Sequence, residues 1–137
     1  MLTVSGFSGH VLSVEVIHDI TNPEKKNNYT LTGNLKQVLQ ESLAVAKINA
    51  LNCLPKDKFE EAVTNNYHIH FLQGSSPKDG PSAGISVCTA LLSRMLGKPV
   101  SSQIAMTGEL SLNGDIYKIG TKSSYCHGNE LTSSNYH

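Results

Sequence analysis

Ser82 lies in the run Gly80-Pro81-Ser82-Ala83-Gly84, where a loop rich in Gly and Pro gives way to an apolar pattern of helical period. A serine at such a junction can do two things. Its hydroxyl can accept from first-turn N–H groups as an N-cap, a role serine commonly fills. Or it can stay exposed as a nucleophile, with the unpaired first-turn N–H groups and the helix dipole favouring a developing oxyanion. The small neighbours Gly80, Ala83 and Gly84 would let a substrate backbone come close. The run also fits GxSxG, the nucleophile elbow of α/β-hydrolases. That motif needs a strand feeding directly into the turn, whereas residues 73–81 intervene here, and the chain is short for that fold. The elbow match is read as accidental.

Other groups are weighed in the same way. His68 and His70 alternate along one strand face, a spacing that can hold a metal, but no third ligand stands near in sequence. They are read as packing or surface residues, with no metal site. Cys126-His127 falls in a polar stretch without apolar period, and Cys88 sits among apolar helical residues as a core thiol. Lys78-Asp79 offers an ion pair positioning the loop or a solvated turn, and the solvated turn is the expectation.

Strands and helices must position these groups. Residues 10–17 alternate as one half-buried strand, residues 21–28 form a polar loop, and residues 29–32 form the returning strand. Leu35, Val38, Leu39, Leu43, Ala46 and Ala50 recur at helical spacing, with Asn34 as N-cap and Pro55 as the downstream limit. A second helix is expected over 57–64 and a strand over 67–72. The helix that Ser82 opens runs to Gly97 and Pro99. Residues 104–106 and 110–112 read as short strands, Asn113-Gly114 as a tight hairpin turn, and residues 115–119 as the second hairpin arm. Residues 121–137 lack apolar period and read as a disordered or poorly packed tail. No internal repeat is evident.

With 137 residues, 11 Lys+Arg against 11 Asp+Glu and 39% hydrophobic residues, the chain suits one domain with a real core. A balanced charge speaks against a nucleic-acid surface, and the short apolar runs against a membrane span. Three widely spaced cysteines without CxxC argue against a disulfide framework and for an intracellular, reducing location. The first residues lack the form of a secretory signal, the last three are not a peroxisomal address, and no GxxxxGK[ST] run is present.

Taken together, residues 9–16 (GHVLSVEV), 31–42 (LTGNLKQVLQES), 68–71 (HIHF), 77–84 (PKDGPSAG) and 105–120 (AMTGELSLNGDIYKIG) resemble, in order, the proteolytic domain of the Lon family of ATP-dependent serine proteases. The resemblance covers residues 6–120. It implies an α/β (α+β) fold with a mixed sheet and packed helices, over a domain of residues 1–120 followed by a divergent tail, 121–137. It implies a Ser–Lys dyad that degrades unfolded or misfolded polypeptide, with Ser82 as nucleophile. Thr107 matches a position that helps orient the lysine, and Asp79 and Gly80 match the loop that shapes the site. The resemblance further implies ring-shaped hexamers or ATPase-bearing subunits as partners. ATP and Mg would be used by a separate ATPase module, with no cofactor in this chain. The family's homes, the bacterial cytoplasm, mitochondrion and peroxisome, are not distinguished.

The sequence departs from the family where the base should stand. Counted without gaps from Gly120, the dyad-lysine position holds Tyr125. Lys122 is the nearest substitute, three positions early, and Lys118 falls on the hairpin arm. Such an offset moves a side chain by several ångströms, whereas a catalytic pair tolerates about half an ångström. Two expectations follow from that departure: an endopeptidase with Lys122 as a displaced base, or a non-catalytic domain acting through subunit assembly. The switch to unrelated polar sequence also suggests an abruptly ended product. An open sheet edge, a partly uncovered apolar face on the Ser82 helix, and marginal stability or self-association are then expected.

Overall fold

Tyr67-His68-Ile69-His70-Phe71 alternates apolar and imidazole side chains, the period of a strand with one face buried. The computed structural model describes residues 2–5 and 8–118, with side chains from residue 11 onward. In chain order it contains β1 (Leu2–Ser5), β2 (Ser8–Val11), β3 (Val14–His18), β4 (Tyr29–Thr32), α1 (Gln37–Asn52), α2 (Lys56–Thr64) and β5 (Tyr67–Phe71). A 3-10 turn (Pro81–Ala83), α3 (Gly84–Leu96), β6 (Glu109–Leu110) and β7 (Ile116–Tyr117) complete it. The result is the mixed α/β architecture expected.

The expected strand over 10–17 is in fact two. β2 closes a hairpin with β1, pairing Val11 with Leu2, and β3 begins a different sheet at Val14. Between them the chain buries Leu12 in the core. Nor does β4 return alongside β3. The main sheet runs β3-β5-β4, with β5 antiparallel to β3 and parallel to β4. A parallel pair needs a long crossover, which α1 and α2 supply between β4 and β5. Buried Asn66 holds this order from below. Its side chain donates to the carbonyls of Asn22 and Lys25 and accepts from the Asn28 amide, so the 19–28 loop is tied to the start of the central strand.

Tyr67, Ile69 and Phe71 face a core completed by Leu39, Leu43, Ala46 and Ala50 of α1 and Val87 and Leu91 of α3. The stripe that predicted α1 is therefore its buried face. Asn34 is not its cap: it sits in the left-handed region at φ 61°, and the helix starts three residues later. α2 begins at Lys56, one residue before the expected start.

Residues 104–106 form no strand. Met106 spends its carbonyl on the Ser86 hydroxyl at 2.7 Å, so this segment is bonded to α3 rather than to a sheet. The hairpin at Asn113-Gly114 is present between β6 and β7, with Gly114 at φ 91° and the Ser111 amide donating to Asp115. α3 carries no large exposed hydrophobic, but its apolar Ile85, Leu92 and Leu96 are only half-buried. Leu112, Ile116 and Tyr117 of the hairpin region are exposed instead. Among the described residues no helix is long and apolar enough to cross a membrane.

Candidate active site

Gly80 turns the chain at φ 101°, a conformation that favours glycine, and Pro81 opens the 3-10 turn with its fixed φ. Ser82 is the middle residue of that turn, half-buried, and α3 proper begins only at Gly84, with Ala83 in the cap position. Neither helical element receives a side-chain cap, and among the described residues the Ser82 hydroxyl makes no hydrogen bond. The N-cap reading of Ser82 is thereby excluded, and the helix expected from Ser82 opens as a 3-10 turn that becomes regular α3 two residues later.

The turn is held through its backbone, which leaves the hydroxyl without a partner among the described residues. From one side Ser42 on α1 donates its hydroxyl to the Pro81 carbonyl at 3.2 Å. From the other, the Gly108 amide donates to the Ser82 carbonyl at 2.9 Å, and the Thr107 hydroxyl reaches the same oxygen at 3.4 Å. The Ile85 amide returns a bond to the Gly108 carbonyl at 3.3 Å, so residues 106–108 run flush against the start of α3. The approach is close: a Cβ on Gly84 would meet the Leu110 nitrogen at 3.1 Å and the Ser42 hydroxyl at 3.2 Å. Gly84 thus serves the close approach of the 108–110 backbone to the start of α3.

Asp79 braces the turn's entrance. Its Oδ1 accepts from the Gly80 amide at 2.9 Å and from the Leu39 amide at 3.3 Å. Leu39 is the third residue of α1, whose first-turn amides have no partner inside the helix. The carboxylate therefore takes the capping place that Asn34 was expected to fill, with the favourable sign at a helix N-terminus.

Lys78 corrects a second expectation, that of a solvated turn. It is 3% exposed, and its ammonium donates to the carbonyls of Gln73 (2.6 Å), Gly33 (3.0 Å) and Ser76 (3.0 Å). It is not paired with Asp79, since Lys58–Glu61 is the one ion pair among the described residues. Sequence reasoning missed Lys78 because a lysine in a Gly/Pro loop is ordinarily solvated. It also missed Ser42 and Ser86, for which a signal existed. Ser42 interrupts the apolar stripe of α1 three residues after Leu39, and a buried polar group must find a partner.

His68 and His70 do share a face. The Thr32 hydroxyl stands between their rings, 2.8 Å from His68 Nε2 and 2.7 Å from His70 Nδ1, with Glu15 and Ile17 alongside. Among the described residues no three His, Cys, Asp or Glu side chains are grouped to hold a metal ion. Cys88 is buried as expected, and burial pushes its thiol up to about 11. Lys122, Tyr125, Cys126 and His127 lie outside the described residues.

The chain is similar to known proteins over most of its length. A family model described as the Lon protease (S16) C-terminal proteolytic domain matches residues 1–126. A Lon protease of Mycoplasma mycoides is 41% identical over 124 residues, 87% of this chain and 15% of that protein. A mitochondrial Lon protease homolog of Aspergillus fumigatus is 40% identical over 124 residues, 87% of this chain and 11% of that protein. A Lon protease homolog of Acanthamoeba polyphaga mimivirus is 45% identical over 93 residues, 66% of this chain and 9% of that protein. The chain thus spans 15% or less of the length of these curated relatives.

Proposed function

Because the chain belongs to the Lon protease (S16) C-terminal proteolytic domain family, we propose that Ser82 is the nucleophile of a serine endopeptidase domain that hydrolyses unfolded polypeptide. The observation that carries this reading is the Ser82 hydroxyl. It is half-buried and free of hydrogen bonds among the described residues, on a turn whose carbonyls are bonded to Ser42, Thr107 and Gly108.

In this reading Oγ attacks a substrate carbonyl carbon while an uncharged lysine amine takes its proton. The tetrahedral adduct collapses with cleavage of the C–N bond, and the ammonium returns the proton to the departing amine. The ester left on Ser82 is hydrolysed by water with the same amine as base. An amine can serve only after losing its proton, so its surroundings must disfavour the charged form. Lys122 is the base proposed, and Thr107, beside the Ser82 carbonyl, its orienting neighbour. ATP and Mg act in this scheme at a separate ATPase module that unfolds and feeds substrate, with the peptidase domains arranged in a ring inside the cell.

A second reading rests on Tyr125, which stands where the family pattern places the dyad lysine. In it the domain keeps the fold and contributes to assembly without catalysis. Hydrolysis of a fluorescently labelled unfolded protein decides between the two. Turnover that disappears in both Ser82→Ala and Lys122→Ala supports the dyad. Turnover lost only in Ser82→Ala shows that another group is the base. A natively folded chain without turnover establishes the second reading.

A further inference from the structure

We propose that Lys78 is a positioning residue for Ser82: a built-in cation whose ammonium gathers three carbonyls and so fixes the loop that delivers the hydroxyl. This inference rests on Ser82 being the nucleophile, but the geometry behind it is independent of catalysis.

Three carbonyls from two segments converge on one nitrogen. Gly33 precedes α1, and Gln73 and Ser76 belong to the loop after β5. Their carbonyls all point at Lys78 Nζ, within 3.0 Å. Three carbonyl acceptors call for three N–H donors, which the ammonium form has and the free amine lacks. A carbonyl cluster of this kind repels itself unless a cation stands at its centre. The backbone of the same residue ties the loop again: the Lys78 amide donates to the Asn34 carbonyl, and its carbonyl accepts from the Lys36 amide, each at 2.9 Å. Two residues of unusual conformation, Gln73 at φ 60° and Asn34 at φ 61°, flank this knot. Asp79 follows, bonded to α1, and Ser82 stands four residues from the cation. The loop is thus locked to the start of α1 before it reaches the turn. With its three donors spent on carbonyls, Lys78 has no lone pair to offer Ser82, so it positions the hydroxyl and does not deprotonate it.

The test compares the full chain with Lys78→Met, Lys78→Arg and Lys78→Ala. The first readout is the rate at which a fluorophosphonate labels Ser82, located by mass spectrometry. A misplacement of about 1 Å can cost about a hundredfold in rate, so Lys78→Met is expected to label at least tenfold more slowly. n-Propylammonium, which refills the space left in Lys78→Ala, is expected to restore labelling, whereas the neutral isostere 1-propanol is not. Lys78→Met labelling at the unsubstituted rate, or equal rescue by propanol, overturns the proposal. Lys78→Arg keeps the charge but not the three-carbonyl geometry, and full activity in it would also overturn the stated role.

The second readout is amide hydrogen exchange at Lys36, Leu39 and Gly80. Protection is expected in the unsubstituted chain, lost in Lys78→Met, and regained in Lys78→Ala with propylammonium. If the unsubstituted chain does not label at Ser82 at all, the peptidase reading fails and exchange alone judges the positioning role. Unchanged protection in Lys78→Met then overturns it.

Discussion

The Gly108 amide and the Ser82 carbonyl are joined at 2.9 Å, although the two residues stand 26 positions apart in sequence. This bond is where the two most specific motifs of the chain, PKDGPSAG and MTGE, become one piece of structure. It leaves no room for a side chain on Gly108, whose Cβ would come within 2.8 Å of Ile116 Cγ2 and 3.4 Å of Ile85 Cγ2.

Gly108→Ala is therefore expected to destabilise the chain by about 1–3 kcal/mol, the usual range for an overpacked contact. Ile116 is exposed, so Gly108→Ala/Ile116→Ala should recover most of the loss. Urea unfolding of the single and double variants checks this; equal stability of Gly108→Ala and the unsubstituted chain would show that the close approach has slack.

The bonds of Asp79 to the Leu39 and Gly80 amides make a second prediction. Asp79→Ala should cost about 1 kcal/mol, the typical worth of a helix N-cap. Asp79→Asn retains an acceptor oxygen and should lose less than Asp79→Ala. The order of midpoints in denaturant measures it, and an Asn variant as unstable as Ala would deny the capping role.

These two sites mark how far the sequence could be read. The stripe Leu39-Leu43-Ala46-Ala50 made α1 plain, the alternation at 67–71 made β5 plain, and Asn113-Gly114 announced its hairpin, because each is a local pattern. The β3-β5-β4 order was not legible, since it depends on Asn66 tying a loop 38 or more residues away in sequence. Lys78 was misjudged for a related reason: its three acceptors come from 2 to 45 positions away, and no pattern within the loop foretells them. Asn34 carried a cap-forming side chain, but the left-handed turn it adopts moved the cap to Asp79. At the site itself, Ser82, Thr107, Asp79 and Gly80 do come together around one turn, whereas Lys122 lies beyond the described residues.

Stability should fall as the pH drops below about 6.5. His18 is half-buried, and its pKa is lowered from the ordinary 6.5 first by burial and then by the Arg94 guanidinium, with Glu61 opposing. Because the unfolded chain takes up the proton more readily, it binds more protons through this window. Folding is thus penalised as pH falls through 6.5 toward the lower folded value, and the penalty is absent above it. Melting temperatures of the unsubstituted chain and His18→Gln between pH 5 and 8 check this, with a shallower acid slope expected for the variant. Parallel slopes would remove His18 from the explanation.

The thiols should separate cleanly in reactivity. Cys53 is exposed at the end of α1, whereas Cys88 is buried on α3 and burial pushes its thiol up to about 11. Thiolate is the reactive form, so at pH 8 iodoacetamide should modify Cys53 at least tenfold faster than Cys88. Labelling of Cys88 should rise in step with unfolding by urea. Comparable rates in the native chain, read by peptide mapping, would mean that α3 is not packed as described.

Acyl transfer to Ser82 tests the central claim most directly. The chain is treated with an activated ester such as p-nitrophenyl acetate, quenched in acid, and the acyl group located by mass spectrometry. The Ser82 hydroxyl, unbonded among the described residues on its backbone-pinned turn, predicts an acyl group on Ser82 that does not form when the chain is unfolded in urea before the reagent is added, nor in Ser82→Ala. An acyl group found only elsewhere, or on Ser82 no faster than on the urea-unfolded chain, would contradict the nucleophile assignment.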